Sequence, residues 1–165
     1  MIWNNGGITV PDKETAIGTL EEEYVAFREL IVDLPEAAYR EVMLGTWDLD
    51  HLLAHMAGWY REMSGAFARV AKGERPVPEG VDYSNADAWN EKFAASPKHG
   101  PAALDDFDMA FHQYDAAARA LPEALYGDDP ASGRPRIGNR LLGGAGIEHL
   151  QEHRPEVAAW LAGRK

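Results

Sequence analysis

Apolar residues recur at intervals of three and four along four stretches of the chain, which is the spacing expected for one buried face of an α-helix. In the first stretch the apolar positions lie between Ile17 and Leu34. Asp12 precedes this stretch and is a residue type that caps helices, whereas Pro35 cannot continue one. The pattern predicts a first helix of about six turns that ends at Pro35.

The second stretch, Leu49–Val70, carries the strongest helical pattern in the chain. Thr46 or Asp48 is expected to cap this helix, and Gly73 to end it. The third stretch, Pro101–Leu121, opens with a proline, which suits the first position of a helix because that position needs no backbone donor. These features predict two long helices.

The last helix is predicted to begin between Asn139 and Gly146 and to run through Leu161. Between the second and third helices, Gly73–Gly100 is interrupted by prolines and glycines, but Ser84–Ala95 has the pattern of a short capped helix. Gly127–Gly138 is predicted to be a loop, and no convincing strand alternation is found. The fold class is therefore all-α, a four-helix bundle with a long crossover that carries a short helix.

A chain of 165 residues is expected to form one domain, residues 1–165, with a core large enough to need no disulfide or structural metal. It contains no cysteine, which excludes thiolate metal sites and a cysteine nucleophile. The net charge of −11 predicts no nucleic-acid partner and no membrane partner, since both are anionic. Because neither a signal peptide nor a membrane span is recognised, we expect a cytoplasmic protein.

Four of the six histidines form two pairs spaced four residues apart, His51 with His55 and His149 with His153. Side chains at this spacing lie on one helical face and can bind one metal ion together. His149, His153 and His55 all fall within apolar stripes, so we predict that they point into the bundle. Three imidazoles from two helices leave a coordination position open, as in catalytic metal sites, and Zn²⁺ or Ni²⁺ suits nitrogen ligands. Bound water or a bound thiolate would be the nucleophile.

Other residues have a structural and a functional interpretation. A single histidine in a helical stripe is usually a hydrogen-bonded core residue, and His51 could equally lie at the helix edge or orient a ligand from outside. Glu148 is expected on a solvated face, but it becomes a possible ligand if the last helix is rotated. Trp59 and Trp89 are first of all core residues, and alternatively they line an apolar pocket.

The segments Trp47–Trp59 (WDLDHLLAHMAGW) and Glu148–His153 (EHLQEH) together resemble the DinB-like superfamily of bacterial four-helix bundles, also called DinB/YfiT-like. The resemblance covers nearly the whole chain. The turn Lys72–Pro78 and the pair Trp89-Asn90 are most similar to the ClbS/DfsB-type branch. The mycothiol-dependent maleylpyruvate isomerases are a more distant likeness.

This resemblance implies a metal held by one histidine of the second helix and two ligands of the last helix, matched here by His55, His149 and His153. We further expect His51, Trp59, Trp89, Asn90 and Glu148 as candidates for contacts around the metal or in the substrate pocket. The resemblance implies either thiol-dependent transfer or isomerisation, with a low-molecular-weight thiol as cosubstrate, or hydrolysis of a reactive natural product as self-protection. The residues that perform catalysis are not identified by it.

Two classes of function follow. The first is a divalent-metal-dependent hydrolase or thiol-dependent transferase or isomerase that acts on a small electrophilic or toxic compound. The alternative is a protein that binds or sequesters a small molecule without changing it, in a groove near Trp59 and Trp89. A structural bundle without a ligand, forming a homodimer through an apolar stripe, is also left open.

Overall fold

The computed structural model describes residues 9–164, in which six α-helices account for most of the chain. Their bounds are α1 Lys13–Glu29, α2 Leu49–Ala71, α3 Ala86–Ala94, α4 Pro101–Ala120, α5 Ile137–Leu142 and α6 His149–Gly163. A π-helical segment, Gly143–Glu148, joins α5 to α6, so that these three pieces form the last long helical element of the bundle.

Four long helical elements pack around one apolar core, which confirms the prediction of an all-α four-helix bundle. They are α1, α2, α4 and the composite of α5, the π-helical segment and α6. The most extensive helix–helix contact is between α2 and α4. The long crossover between those two helices carries α3, as predicted, and α3 packs on α2.

The helix starts agree with the caps expected from the sequence. The Asp12 carboxylate accepts a hydrogen bond from the Thr15 backbone N–H at 2.8 Å, and the Asp48 carboxylate accepts one from His51 at 3.0 Å. Pro101 occupies the first turn of α4. The buried Asp50 adds an unpredicted anchor, since its carboxylate accepts from the Gly100 N–H at 2.9 Å and so fixes the start of α4 against α2.

Two helix boundaries differ from the prediction. The first helix ends at Glu29 instead of continuing to Pro35, because the chain tightens there: the Leu30 N–H donates to the Phe27 carbonyl, three residues back. The following apolar residue Ile31 is still buried, so the periodic pattern extends past the helix itself. The last helical element begins at Ile137, two residues before the predicted range.

No strands were expected, and this is wrong, because the structure contains two short antiparallel hairpins. In the first, β1 (Val42–Leu44) pairs with β2 (Trp47–Asp48), and in the second β3 (Asp128–Asp129) pairs with β4 (Arg134–Pro135). Strands of two or three residues are too short to show an alternating pattern. The first hairpin places Trp47 directly before α2.

The π-helical segment is held by close contact with the core. The Tyr114 hydroxyl, in α4, donates a hydrogen bond to the Leu141 carbonyl at 2.6 Å. Gly146 lies so close to this ring that a Cβ atom there would be 2.7 Å from the hydroxyl oxygen. Gly146 is therefore a position of close helix contact that has no room for a side chain. Within residues 9–164, no helix is long and apolar enough to cross a bilayer.

Candidate metal centre

Three histidines from two helices meet in the bundle. His55 lies in the second turn of α2, and His149 and His153 lie in the first turns of α6. One ring nitrogen from each lies within 4.8 Å of the other two, and all three side chains are buried. The structure therefore brings together the three residues that the stripe geometry selected.

Each of the three imidazole rings is oriented with one nitrogen atom directed toward the centre of the histidine cluster. The Nε2 atoms of His55 and His149 are 2.7 Å apart. His153 uses its Nδ1 atom to contact the Glu156 carboxylate at 2.6 Å, which leaves its Nε2 atom free for a ligand. A carboxylate on the far nitrogen is the usual way in which a protein orients a metal-binding imidazole.

Burial keeps the His55 and His149 rings neutral. It lowers the pKa of His55 from 6.5 to about 3, with repulsion from His153 as the second cause. It also lowers the pKa of His149 well below its ordinary value, and the neighbouring His55 and His153 add to that shift. Neutral imidazoles are the form that binds a metal ion, so no proton has to be removed from these two residues at neutral pH.

The donor set fits a divalent transition metal. At neutral pH a single proton can bridge the two facing Nε2 atoms, and the His55 Nδ1 atom is buried with no hydrogen-bond partner among the described residues. Such an unsatisfied cluster is costly in a protein core unless another group uses its lone pairs. A metal ion bound by the three Nε2 atoms would use the lone pairs at the centre of the cluster, and the His55 Nδ1 atom would then carry that ring's proton.

The histidines open onto a cavity of about 560 Å³, called here the histidine cavity. Its apolar wall comes from both the first hairpin and the bundle, and consists of Leu44, Trp47, Trp59, Met63, Tyr83 and Leu141. Its polar members besides the histidines are Asn90, Arg140, Glu152 and Glu156. A cavity of this size with few polar groups is typical of a small-molecule site.

Of the additional residues predicted near the site, Trp59 and Asn90 line the histidine cavity, and they contact each other. The Trp59 indole N–H donates to the Asn90 side-chain oxygen at 2.8 Å, which fixes α3 against α2. Trp89 stands behind Trp59 and donates to the Asp82 carbonyl instead of lining the cavity.

His51 and Glu148 lie away from the histidine cavity. His51 contacts the Asp48 carboxylate at 2.6 Å at the start of α2. Glu148 lines two smaller cavities on another side of the last helical element. Glu152 and Glu156 line the histidine cavity in place of Glu148, because both follow His149 within α6 and lie closer to the face that carries the two histidines. The spacing of three between His153 and Glu156 is the sequence signal that could have identified Glu156.

The chain matches the family model of the mycothiol maleylpyruvate isomerase N-terminal domain over residues 20–145. The chain belongs to this family. Membership confirms the DinB-like resemblance inferred from the sequence, although the matched range stops before the His149 and His153 pair. No curated protein matches the sequence.

Solved structures show the same fold at low sequence identity. The colibactin self-resistance protein ClbS, in complex with double-stranded DNA, has a TM-score of 0.79 and 13% identity, covering 93% of this chain and 98% of ClbS. DfsB, described as a sibling lethal factor precursor, has a TM-score of 0.75 and 14% identity, covering 92% and 95%. The mycothiol-dependent maleylpyruvate isomerase has a TM-score of 0.68 and 16% identity, covering 89% of this chain and 61% of the isomerase.

The prediction that excluded a nucleic-acid partner is wrong, because ClbS has this fold and is crystallised with double-stranded DNA. Net charge is a sum over the whole chain, whereas a nucleic acid contacts one face. In this protein three arginines, Arg134, Arg136 and Arg140, lie together around one cavity although the total charge is −11. A negative total therefore does not exclude a locally positive surface.

The metal-free protein is expected to lose stability as the pH falls below 6.5. The unfolded chain then takes up a proton on His55, whereas the folded protein, in which the pKa is about 3, does not. This contribution is complete above pH 6.5 and is lost toward pH 3. We expect a decrease of about 1–2 kcal/mol between about pH 7 and pH 5.

Urea unfolding at a series of pH values measures this dependence. In the His55→Gln variant the decrease should become smaller, because the titrating ring is absent. A dependence of the same size in the wild type and in the variant would contradict the assignment.

Proposed function

We propose that this protein is a metal-dependent enzyme that hydrolyses a small electrophilic compound or transfers a low-molecular-weight thiol to it. The observation that carries this proposal is the meeting of three buried imidazoles at the wall of a 560 Å³ cavity. His55, His149 and His153 would hold Zn²⁺ or Ni²⁺, which nitrogen ligands favour over Mg²⁺ or Ca²⁺. Three protein ligands would leave room for a water or a thiol on the metal ion.

A divalent ion held there would supply a Lewis acid that lowers the pKa of a bound water or thiol. The thiol has to come from a second molecule, since the chain contains no cysteine. Family membership supports a thiol as the cosubstrate, because the family is described by a mycothiol-dependent isomerase. The ClbS likeness in fold supports a protective reaction, which is the reason for keeping hydrolysis beside thiol transfer.

The two glutamates of the cavity have different roles in this proposal. Glu156 fixes the His153 ring through the 2.6 Å contact with Nδ1. Glu152 lines the cavity and forms no ion pair among the described residues, so its carboxylate is available to accept the proton that water or thiol loses. One carboxylate therefore orients a ligand and the other acts as a base.

The remaining wall positions the compound. Trp47 packs against His55, with 5.1 Å between the ring centres, and Trp59 is held in place by Asn90. These flat apolar surfaces suit the body of an unsaturated or cyclic electrophile. They also shield the bound compound from bulk water, which favours its reaction with the water or thiol that is activated at the metal site.

The glutamates provide a test with matched variants. Metal-loaded wild type, Glu152→Gln and Glu156→Gln are incubated with an α,β-unsaturated dicarboxylate, with and without a low-molecular-weight thiol, and products are followed by mass spectrometry. We expect Glu152→Gln to slow turnover about 100-fold or more while metal content stays unchanged. Glu156→Gln should weaken metal affinity about 10–100-fold, because His153 loses its orienting partner.

The same experiment distinguishes the alternative function. A protein that only sequesters its ligand would bind it stoichiometrically and release it unaltered from the metal-loaded wild type. Equal metal loss in the two glutamate variants would contradict the separate roles given to them.

A further inference from the structure

A second cavity, of about 520 Å³, lies beside the histidine cavity and is lined by three arginines. Arg134 comes from β4, Arg136 precedes α5, and Arg140 lies within α5. We call this cavity the arginine groove. Arg140 lines both the arginine groove and the histidine cavity, so the two cavities adjoin at this side chain.

The arginine groove brings together three arginines that have no ion-pair partner. Arg28, Arg61, Arg119, Arg154 and Arg164 each form an ion pair with a carboxylate. Among residues 9–164, the three arginines of the groove form none, and neither do Arg40, Arg69 and Arg75. What distinguishes the groove is that its three guanidinium groups line one cavity together with a single carboxylate.

The single carboxylate that lines the arginine groove is already engaged. Asp129 accepts hydrogen bonds from the Ala131 N–H at 3.1 Å and from the Ser132 hydroxyl at 2.6 Å. These two contacts hold its oxygens within its own turn, and they lower its pKa. The arginine groove therefore retains a net positive charge.

One guanidinium is fixed in advance. Arg136 donates from Nε to the Asp128 carbonyl at 2.9 Å and from Nη1 to the Ala124 carbonyl at 2.6 Å. Two of its five N–H donors are used in this way, and the remaining donors keep a fixed direction. A preorganised guanidinium loses little side-chain freedom when it binds an anion.

We propose that the arginine groove binds the anionic end of a small-molecule ligand, a carboxylate or a phosphate, whose other end reaches past Arg140 into the histidine cavity. That the end of the ligand in the histidine cavity is its reacting part rests on the proposed function. The arginine groove itself depends only on the charge and geometry given above. A small anion is favoured over a polymer because the positive charge is confined to one concave site that adjoins the histidine cavity.

The test measures anion binding by calorimetry in metal-free protein, so that the probe cannot bind a metal ion. The probes are inorganic pyrophosphate and succinate, which separate phosphate from carboxylate. The test variant is the double substitution Arg134→Gln and Arg140→Gln. Arg136 is left unchanged because its contacts support the second hairpin. The matched control is the double substitution Arg40→Gln and Arg75→Gln, which removes the same charge from exposed positions elsewhere.

We expect at least one probe to bind the wild type and the control with affinities that agree within about twofold, and the test variant to bind about tenfold or more weakly. Metal content should be unchanged in the test variant, and anion affinity should be unchanged in His153→Ala. This pair of results separates failure of the arginine groove from failure of the metal proposal.

Four outcomes would overturn the proposal. They are no saturable binding of either probe, equal loss in the control, loss of anion binding in His153→Ala, and binding of a duplex DNA oligonucleotide where neither small anion binds.

Discussion

Substitution of His153 by alanine should abolish stoichiometric metal binding, with a loss of affinity greater than about 100-fold. The reason is that the site loses one of its three ligands. Loss of a contact that only orients a ligand already lowers metal affinity about 10–100-fold. Two imidazoles, His55 and His149, would remain with their Nε2 atoms 2.7 Å apart. Elemental analysis of untagged protein, followed by titration with Zn²⁺ and Ni²⁺, measures the effect.

His51→Ala is the matched control for this substitution. His51 is also a helical histidine, but it contacts Asp48 and lies outside the histidine cavity. We expect its metal content to equal that of the wild type. If wild-type protein prepared without an affinity tag contains no metal and binds none on titration, the metal centre is refuted. Equal metal content in the wild type and in His153→Ala would also refute it.

Substitution of Gly146 by alanine should destabilise the bundle by about 3 kcal/mol, the upper part of the usual range for overpacking. A Cβ atom at this position would lie 2.7 Å from the Tyr114 hydroxyl oxygen and 2.8 Å from the Leu20 side chain. Both neighbours are fully buried, so neither can move without disturbing the core. The free energy of unfolding from urea denaturation measures the loss.

The same substitution should weaken the metal site. Displacement of Tyr114 would break its hydrogen bond to the Leu141 carbonyl and shift the segment that leads into His149. Gly144→Ala is a control in the same π-helical segment, since nothing lies within 4 Å of its Cβ position. We expect this control to keep both stability and metal affinity, and equal effects of the two substitutions would contradict the role of close contact at Gly146.

The helices and the histidine ligands were accessible from the sequence because they depend on local spacing. The cap at Asp48, the proline at the start of α4 and the placement of α3 all follow from residue types within one or two turns. The convergence of His55 with His149 and His153 follows in the same way, since each lies in the apolar stripe of its own helix. The helix positions and the inward-facing histidines, which depend on helical periodicity, were therefore predicted.

The features that were missed depend on departures from regular periodicity or on tertiary contacts. The π-helical segment changes the rotation of the last helical element, so an α-helical projection does not bring Arg140 to the same face as His149. The early end of α1 at Glu29 was hidden because Ile31 continues the apolar pattern beyond the helix.

The three histidines come from distant parts of the chain, since His149 follows His55 by 94 positions. During synthesis the ribosome delivers the first ligand long before the second pair exists. A nascent chain can therefore form much of its helical structure while it has no competent site. Under the proposed function, the metal ion could therefore be bound by all three histidines only after the last helical element has packed against α2.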